Sequence, residues 1–423
     1  MLTLKQIREE RGMTVERLSI KGFDAAPVID EIVKADDLRK ALQRDLDSAL
    51  AEQNRLAKEI GALFAQGKKA EAEAAKEATG VLKNSSKQLE EQLRETETAL
   101  HELIVTLPNI PAPCVPVGRT AEENEVVREG GAIPKLAGDV LPHWELAKKY
   151  DLIDFELGVK LTGAGFPVYK GAGAKLQRAL IAFFLDRNTE AGYTEVMPPL
   201  MVNEASGFGT GQLPDKEGQM YHAPLDNFYL IPTAEVPVTN IYRDVILDPR
   251  DFPVRLTAYT PCFRREAGSY GKEVRGLNRL HQFDKVEIVR IEMPENSYAA
   301  LDGMVAHVEG IVQSLDLPYR ILRLCGGDMS FTSALTYDFE VWSAAQERWL
   351  EVSSVSNFES FQANRLKLRY RDENKKTQLA HTLNGSSLAL PRIVAALLEN
   401  NQTPDGIRIP EALIPYTGFE VIK

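Results

Sequence analysis

Cysteine is scarce in this chain. Cys114, Cys262 and Cys325 are its 3 cysteines, far apart in 423 residues and without any C-x-x-C spacing. That excludes a disulfide framework and a structural zinc cluster, and it makes a reducing cytoplasm the expected location. Long apolar runs are missing as well. No stretch approaches the ~20 apolar residues that span a bilayer, so no membrane partner is expected. The opening residues, MLTLKQIREERG, are charged within five positions and lack the apolar centre of a signal peptide. Positive charge is not in excess: the net charge is −11 at pH 7. A protein that coats nucleic acid is thereby excluded, but a local basic patch is not, because local charge sets the field at a contact. With 44% hydrophobic and 26% charged residues, disorder is excluded too. Neither G-x-x-x-x-G-K-[ST] nor a convincing G-x-G-x-x-G occurs, so the P-loop and dinucleotide-fold readings fail.

Proline is absent from Val28 to Val105, and glycine occurs there only at Gly61, Gly67 and Gly80. Within that segment, positions 28, 32, 35, 39, 42, 46, 49, 53, 56, 60 and 63 alternate in steps of four and three. Only Arg39 and Gln53 among them are polar. Such a seam, about five heptads long, predicts a helix with one packed edge. A second seam runs through Leu82, Ser86, Leu89, Leu93, Thr96, Leu100 and Leu103. Between them, Phe64 to Lys69 is the expected turn, with Gly67 suited to positive φ. Two helices of some 36 residues then form an antiparallel rod on the order of 54 Å long. Gly80 predicts a local irregularity, at about 1 kcal/mol relative to Ala. Such a hairpin suits either a dimerisation coiled coil or an arm that touches a large partner. Acidic residues outnumber basic ones in it, so nucleic-acid contact would need sorted basic residues. Arg55, Lys58, Lys68, Lys69, Lys76 and Lys83 near the tip are the candidates.

The rod ends where Pro108, Pro111, Pro113 and Pro116 crowd into nine residues, which no helix continues through. The expected domains are therefore 1–106 with the helical arm, a Pro-rich linker at 107–119, and a catalytic domain at 120–423. In the last, Ala174–Asn188 and Arg392–Leu398 read as helices. Glu195–Val202 reads as a strand broken by prolines, and Leu256–Cys262, Gln282–Ile291 and Trp349–Ser354 read as strands. Clustered strands without a βαβ rhythm predict a mixed or antiparallel sheet with helices packed on it.

The densest polar cluster is FRREAGSYGKEVRGLNRLHQFDKVE, from Phe263 to Glu287. It reads as strand, glycine-containing loop, strand, with arginines at both ends. Guanidinium groups suit planar, bidentate recognition of phosphate, and Phe283 offers a face for a flat base. Phe283, Lys285 and Glu287 share one strand face at period two.

This string resembles motif 2 of the class II aminoacyl-tRNA synthetases, in the form seen in seryl-tRNA synthetases of bacterial type. Thr233-Ala234-Glu235 resembles the family's serine-contacting segment, and Glu195–Val202 resembles motif 1, which forms a dimer interface. Glu351-Val352-Ser353-Ser354 resembles the ATP- and metal-contacting strand. His381 to Ser386, leading to Arg392, resembles motif 3. Where the family usually has Gly-Ser-Gly-Leu-Ala-Val-Gly-Arg, this chain has Gly385-Ser-Ser387-Leu-Ala-Leu-Pro391-Arg392. Proline suits a first helical turn, so only local backbone differences are expected. The 28–105 hairpin is similar to the arm that grips tRNA.

The resemblance implies an α+β fold: a long antiparallel α-helical hairpin, plus a class II catalytic domain on a mainly antiparallel sheet flanked by helices. It implies a homodimeric serine–tRNA ligase that forms seryl-adenylate from ATP and L-serine and charges tRNA(Ser), with tRNA(Sec) a further possible acceptor. It places Arg264, Glu266 and Arg392 in catalysis. It places Thr233, Ala234, Glu235, Arg264, Glu287, Asn384 and Ser386 around serine. Arg264, Arg265, Glu266, Leu280, Phe283, Glu351, Val352, Ser353, Ser354 and Arg392 would bind ATP, with Glu351 and Ser354 on Mg²⁺ and no zinc. His281 is expected to anchor the loop. Two alternatives are a ligase that loads serine onto a carrier protein, against which the intact arm argues, and a non-enzymatic paralogue. The second would be expected to have lost one of Arg264, Glu266, Glu351 or Arg392, and all four are present.

Overall fold

The computed structural model describes residues 1–136, 138–215, 218–266 and 275–423. The loop positions 267–274 of the arginine-rich hairpin therefore lie outside the described residues. The chain divides into two compact units, Met1–Ser19 with Phe23–Pro108, and Ile20–Gly22 with Asn109–Lys423. No helix of the described residues is long and apolar enough to cross a membrane.

The first unit is dominated by α1 (Ala26–Ala65) and α2 (Lys69–Val105), of 40 and 37 residues. The turn between them falls at Gly67, whose φ is +73°. Every position of both seams is buried or half-buried. Leu42, Leu46 and Leu93 make the apolar centre, with Leu89 packed against it. Two of the polar seam residues, Gln53 and Ser86, pair with each other. Gln53 Nε2 donates to the Leu82 carbonyl at 3.1 Å and to Ser86 Oγ. An amide buried in the seam is thus hydrogen-bonded, which removes most of its burial cost. The irregularity expected at Gly80 does not occur, and α2 runs through it without a break. Gly80 is exposed and lies well inside a helix of 37 residues, so its propensity penalty is absorbed.

The second unit is built on an eight-stranded sheet. In chain order its strands are β1 (Glu125–Gly130), β2 (Thr194–Glu195), β3 (Val254–Phe263), β4 (Gln282–Glu292), β5 (Tyr319–Arg323), β6 (Leu335–Ser343), β7 (Arg348–Asn357) and β8 (His381–Ala389). Their spatial order is β1-β5-β6-β7-β8-β4-β3-β2, antiparallel except for the β2–β3 edge. The sheet and its helices share one apolar core. Helix α3 (Gly171–Glu190) contributes Leu176, Leu180, Phe183 and Phe184 at helical spacing. Helix α4 (Ser297–Ser314) contributes Leu301, Met304 and Val308. Helix α5 (Leu390–Asn400) has Pro391 in its first turn and is buried at every residue except Arg392.

Glu195–Val202 is not one strand. Thr194–Glu195 joins the large sheet, while Met201–Asn203 pairs with Phe228–Leu230 in a separate small one. Pro198 and Pro199 lack the N–H that a continuous ladder needs.

Replacing Leu46 by alanine is expected to destabilise the hairpin by about 2–5 kcal/mol. Thermal unfolding of the full chain followed by far-UV circular dichroism would show it as an earlier loss of helix. An unchanged melting curve would mean that Leu46 contributes no packing.

Candidate active site

The central strands β7, β8 and β4 carry half of the candidate residues, so their register sets much of the site. Two irregularities matter. Along β4 and β8, Lys285 faces Ala389 but Glu287 faces Ser386, so one extra residue is accommodated on β8. This brings Ser386 beside Glu287. Along β6 and β7, Ser353 faces Phe339 but Glu351 faces Glu340, which leaves Val352 unpaired. A bulge of this kind re-aims side chains. It lets Glu351 and Ser354, three positions apart, meet: Ser354 Oγ donates to Glu351 Oε1 at 3.5 Å. Val352 and Ser353 are buried, and Ser353 Oγ donates to the Ser386 carbonyl at 2.6 Å.

A compact polar group lies at β4. Lys285 Nζ is 2.6 Å from Glu287 Oε2 and donates to Thr233 Oγ1 at 2.9 Å. Thr233 Oγ1 in turn donates to Glu287 Oε2 at 3.2 Å and accepts from the Glu235 backbone N–H at 3.2 Å. Ala234 is fully buried between Thr233 and Glu235. Glu235 Oε1 accepts from Gln362 Nε2 at 2.6 Å, and Gln362 Oε1 accepts from Thr382 Oγ1 at 2.7 Å. Asn384 and Ser386 share β8, with Asn384 facing Val289 on β4 and Ser356 on β7.

Two buried carboxylates share one ammonium here. Burial and the charge of Glu287 push the Glu235 carboxyl up to about 7, against the hydrogen bond from Gln362 and the charges of Lys285 and Arg264. Burial also raises the Glu287 carboxyl, although Lys285 and Thr233 oppose it.

Arg264 and Arg392 are held on carbonyl tethers. Arg264 Nε donates to the Pro232 carbonyl at 3.3 Å, and its guanidinium lies 5.3 Å over the Phe283 ring. Arg392 Nε donates to the Asn278 carbonyl at 3.0 Å and Nη1 to the Glu351 carbonyl at 2.8 Å. Arg265 lies 5.5 Å over the Tyr221 ring. Glu266 has φ +47° and takes Arg279 Nε as its partner. Leu280 is buried in the core, leaving its backbone as the part that could read a base. His281 holds the loop: its Nδ1 is 3.0 Å from the Arg264 carbonyl, and its ring stacks on Phe166.

Sequence reasoning placed Lys285 on the right strand face but gave it no part in the site. Its alternation with Phe283 and Glu287 was the available signal. Gln362 and Asp338 carried none. Asp338 faces Ser354 across β6 and β7. Burial and the nearby Glu351 charge hold its carboxyl well above the usual range, and its Oδ1 is buried without a hydrogen-bond partner.

Comparison with known proteins decides the family. A model described as "Seryl-tRNA synthetase N-terminal domain" matches residues 1–111, and one described as "tRNA synthetase class II core domain (G, H, P, S and T)" matches 221–401. The serine–tRNA ligase of Salinibacter ruber is 56% identical over 99% of this chain and 98% of its own length. The chain belongs to the seryl-tRNA synthetase family. The serine–tRNA ligase of Chlorobium phaeovibrioides is 48% identical over 94% of this chain and 93% of its own. The seryl-tRNA synthetase of Pyrococcus horikoshii, solved in complex with ATP, superposes with a TM-score of 0.93 at 33% identity, covering 100% of this chain and 99% of that one. As a seryl-tRNA synthetase family member, the chain is an ATP-dependent aminoacyl-tRNA ligase with a class II core. Its activity is that of a serine–tRNA ligase. None of these relatives supports the carrier-protein alternative.

The Glu235 environment has a consequence for stability. Its folded pKa lies above the ordinary carboxylate value, so the folded chain holds this proton more tightly than the unfolded one. The ligand-free protein therefore loses stability from this group as pH rises toward and through about 7. Glu235→Gln is expected to gain stability relative to wild type progressively from pH 5 to pH 7, by at most roughly 1.4 kcal/mol for each whole step in pH. Paired melting curves across that range check it. A difference that does not vary with pH would mean that Glu235 is not the proton-binding group.

Proposed function

We propose that the polar group at β4 is the serine pocket and that Arg264 and Arg392 bracket the triphosphate of ATP. The observation that carries this reading is the convergence of Thr233, Glu235 and Glu287 at Arg264. Its tether, the Pro232 carbonyl, precedes Thr233, and its charge opposes the upward shift of both carboxyls. Serine is a small zwitterion with one hydroxyl. Buried carboxylates suit its ammonium, and Arg264 suits its carboxylate. Asn384 and Ser386 on β8, and Ala234 between the other two contacts, close the pocket. A site that hydrogen-bonds the hydroxyl rejects alanine by a factor on the order of 10⁴.

The serine carboxylate oxygen attacks the α-phosphorus. A new O–P bond forms, the bond to the α–β bridging oxygen breaks, and pyrophosphate leaves. The nucleophile is already ionised at neutral pH, so the step needs no general base. The protein supplies alignment and positive charge. Arg264 holds the α-phosphate, and Arg392, emerging alone from the buried α5, holds the far end of the folded ATP. Phe283 stacks on adenine while Glu266 and the Leu280 backbone read its edge, with Arg265 at the phosphate side. The ribose hydroxyl of the tRNA end then attacks the seryl carbonyl carbon, the anhydride C–O bond breaks, and AMP leaves with that bond's electrons while a phosphate oxygen takes the hydroxyl proton.

Among the described residues no cluster of three or more His, Cys, Asp or Glu is placed to hold a metal ion. The donor set at Glu351 and Ser354 nevertheless fits a hard cation: carboxylate and hydroxyl oxygens, with the unpartnered Asp338 Oδ1 on the neighbouring strand. Glu351 and Ser354 would hold Mg²⁺ together with ATP, and the ion would neutralise phosphate charge. Nothing in the donor chemistry suits zinc.

The helical arm would bind tRNA(Ser), and by the same geometry tRNA(Sec). At its tip, Arg55 pairs with Glu52 and Glu59, Lys68 with Glu71, and Lys76 with Glu73. Exposed pairs of this kind are worth little, so a phosphate can replace the carboxylate. The motif 1 segment would form a homodimer: Met197, Leu200 and Met201 are all exposed, Met197 by 91%. Three free cysteines suit a cytoplasmic location.

Arg264→Ala should slow serine-dependent ATP–pyrophosphate exchange by about a hundredfold or more. A loss under about tenfold would place the α-phosphate elsewhere. Deleting residues 30–103 and rejoining the ends should leave that exchange largely intact and sharply reduce tRNA charging. Equal loss of both activities would show that the arm serves folding instead.

A further inference from the structure

Outside the pocket, the most completely buried ionisable pair is His143 with Glu399, both without solvent exposure. Glu399 Oε1 accepts from the His143 backbone N–H at 3.0 Å and lies 2.7 Å from its ring Nδ1. The same carboxylate accepts from Ser343 Oγ, from the Ala345 backbone N–H at 3.2 Å and from Gln346 Nε2 at 3.2 Å. Burial would raise this carboxyl, but the hydrogen bonds from His143 and Ser343 outweigh it and hold it below its usual range. An ionised carboxylate ringed by donors requires the proton of His143 on Nδ1. The other ring nitrogen, Nε2, is then an acceptor, and it takes the Leu277 backbone N–H at 2.8 Å.

That contact reaches the site in two residues. The Asn278 carbonyl is the acceptor for Arg392 Nε at 3.0 Å, and the Asn278 side chain donates to Gln346 Oε1 at 2.8 Å. Gln346 returns to the same cluster through Ser343 Oγ at 2.9 Å. Gly276 makes the approach feasible. Its φ is +65°, and a Cβ there would lie 2.2 Å from His143 Nε2. Helix α5 supplies both ends of the circuit, Arg392 at its start and Glu399 near its end.

We propose that His143, fixed in one tautomer by Glu399, is a positioning residue for Arg392. By pinning the Leu277 N–H it sets the Asn278 carbonyl, and that carbonyl orients the guanidinium toward ATP. The inference rests on the reading of Arg392 as a triphosphate ligand. His143 touches neither substrate, so its effect belongs in the ATP KM and not in the serine KM.

Two substitutions in the full-length protein separate its two contacts. In His143→Gln the amide oxygen takes the place of Nε2 and keeps the acceptor for Leu277. In His143→Asn the amide nitrogen takes the place of Nδ1, keeps the donor to Glu399 and loses the acceptor. In ATP–pyrophosphate exchange, His143→Asn should raise the ATP KM by about tenfold while the serine KM stays within about twofold. His143→Gln should stay within about threefold of wild type in both. Arg392→Ala, measured beside them, should raise the ATP KM at least as much as His143→Asn. If Arg392→Ala raises it and His143→Asn does not, the positioning role is wrong. If the Gln and Asn variants lose activity and melting temperature to the same extent, His143 serves folding only, and the proposal is overturned. If Arg392→Ala leaves the ATP KM unchanged, the phosphate reading of Arg392 fails first and the inference falls with it.

Discussion

Two buried carboxylates share one lysine, and much of the pocket depends on that imbalance. Glu235 and Glu287 both lie below a tenth exposure, while Lys285 is the cation paired directly with Glu287 and Arg264 acts on both acids only through its charge. A buried anion without full compensation raises its own proton affinity or draws in a cation. The raised Glu235 carboxyl shows the first response in the ligand-free protein. The ammonium of an amino acid offers the second. In the proposed serine pocket that excess of acid would take the ammonium of the amino acid, with Lys285 offsetting part of it. Thr233 links Lys285 to Glu287 through one hydroxyl, accepting from the first and donating to the second.

The arginines follow the opposite logic. Arg264 and Arg392 are oriented chiefly by backbone carbonyls at Pro232, Asn278 and Glu351. A carbonyl fixes direction without cancelling charge, so the guanidinium keeps its field for an incoming phosphate. Arg392 has a carboxylate near, with Glu351 Oε2 at 3.6 Å, but Glu351 is itself half exposed. Arg279 contrasts with both, since it is paired directly with Glu266. Arg279 is thus neutralised by a carboxylate, while Arg264 and Arg392 are held chiefly by carbonyls.

Period and composition make some of this legible in the sequence. The hairpin can be read because one packed edge repeats every 3.5 residues over long stretches, and even its polar exceptions, Gln53 and Ser86, prove to face each other. The arginine-rich motif can be read because its residue types are rare in combination. Strands β1, β5 and β6 and helix α4 escape notice, because short buried runs have no period to separate strand from helix. The break in motif 1 can be read from its two prolines, but not that its halves join separate sheets. The meeting of Glu351 with Ser354 cannot be read at all. Three positions apart on a regular strand they would face opposite ways, and only the bulge at Val352 brings them together. Gln362 and Asp338 are likewise invisible, because nothing local marks a polar residue whose partner is a hundred positions away or on the next strand.

Net charge is the remaining puzzle of composition. A chain with net charge −11 acts on ATP and tRNA, both polyanions. Its acids are spread over the surface and screened there within about 10 Å at ordinary salt. The site's arginines are held near apolar rings and buried strands, where the effective dielectric is lower and screening weaker. Arg264 over Phe283 and Arg392 at the mouth of a helix buried everywhere else are both of this kind. A few cations in such places govern the potential that a phosphate meets, whatever the sum over the whole chain. Overall acidity and anionic substrates are therefore compatible, because the placement of charge relative to the core matters more than its total.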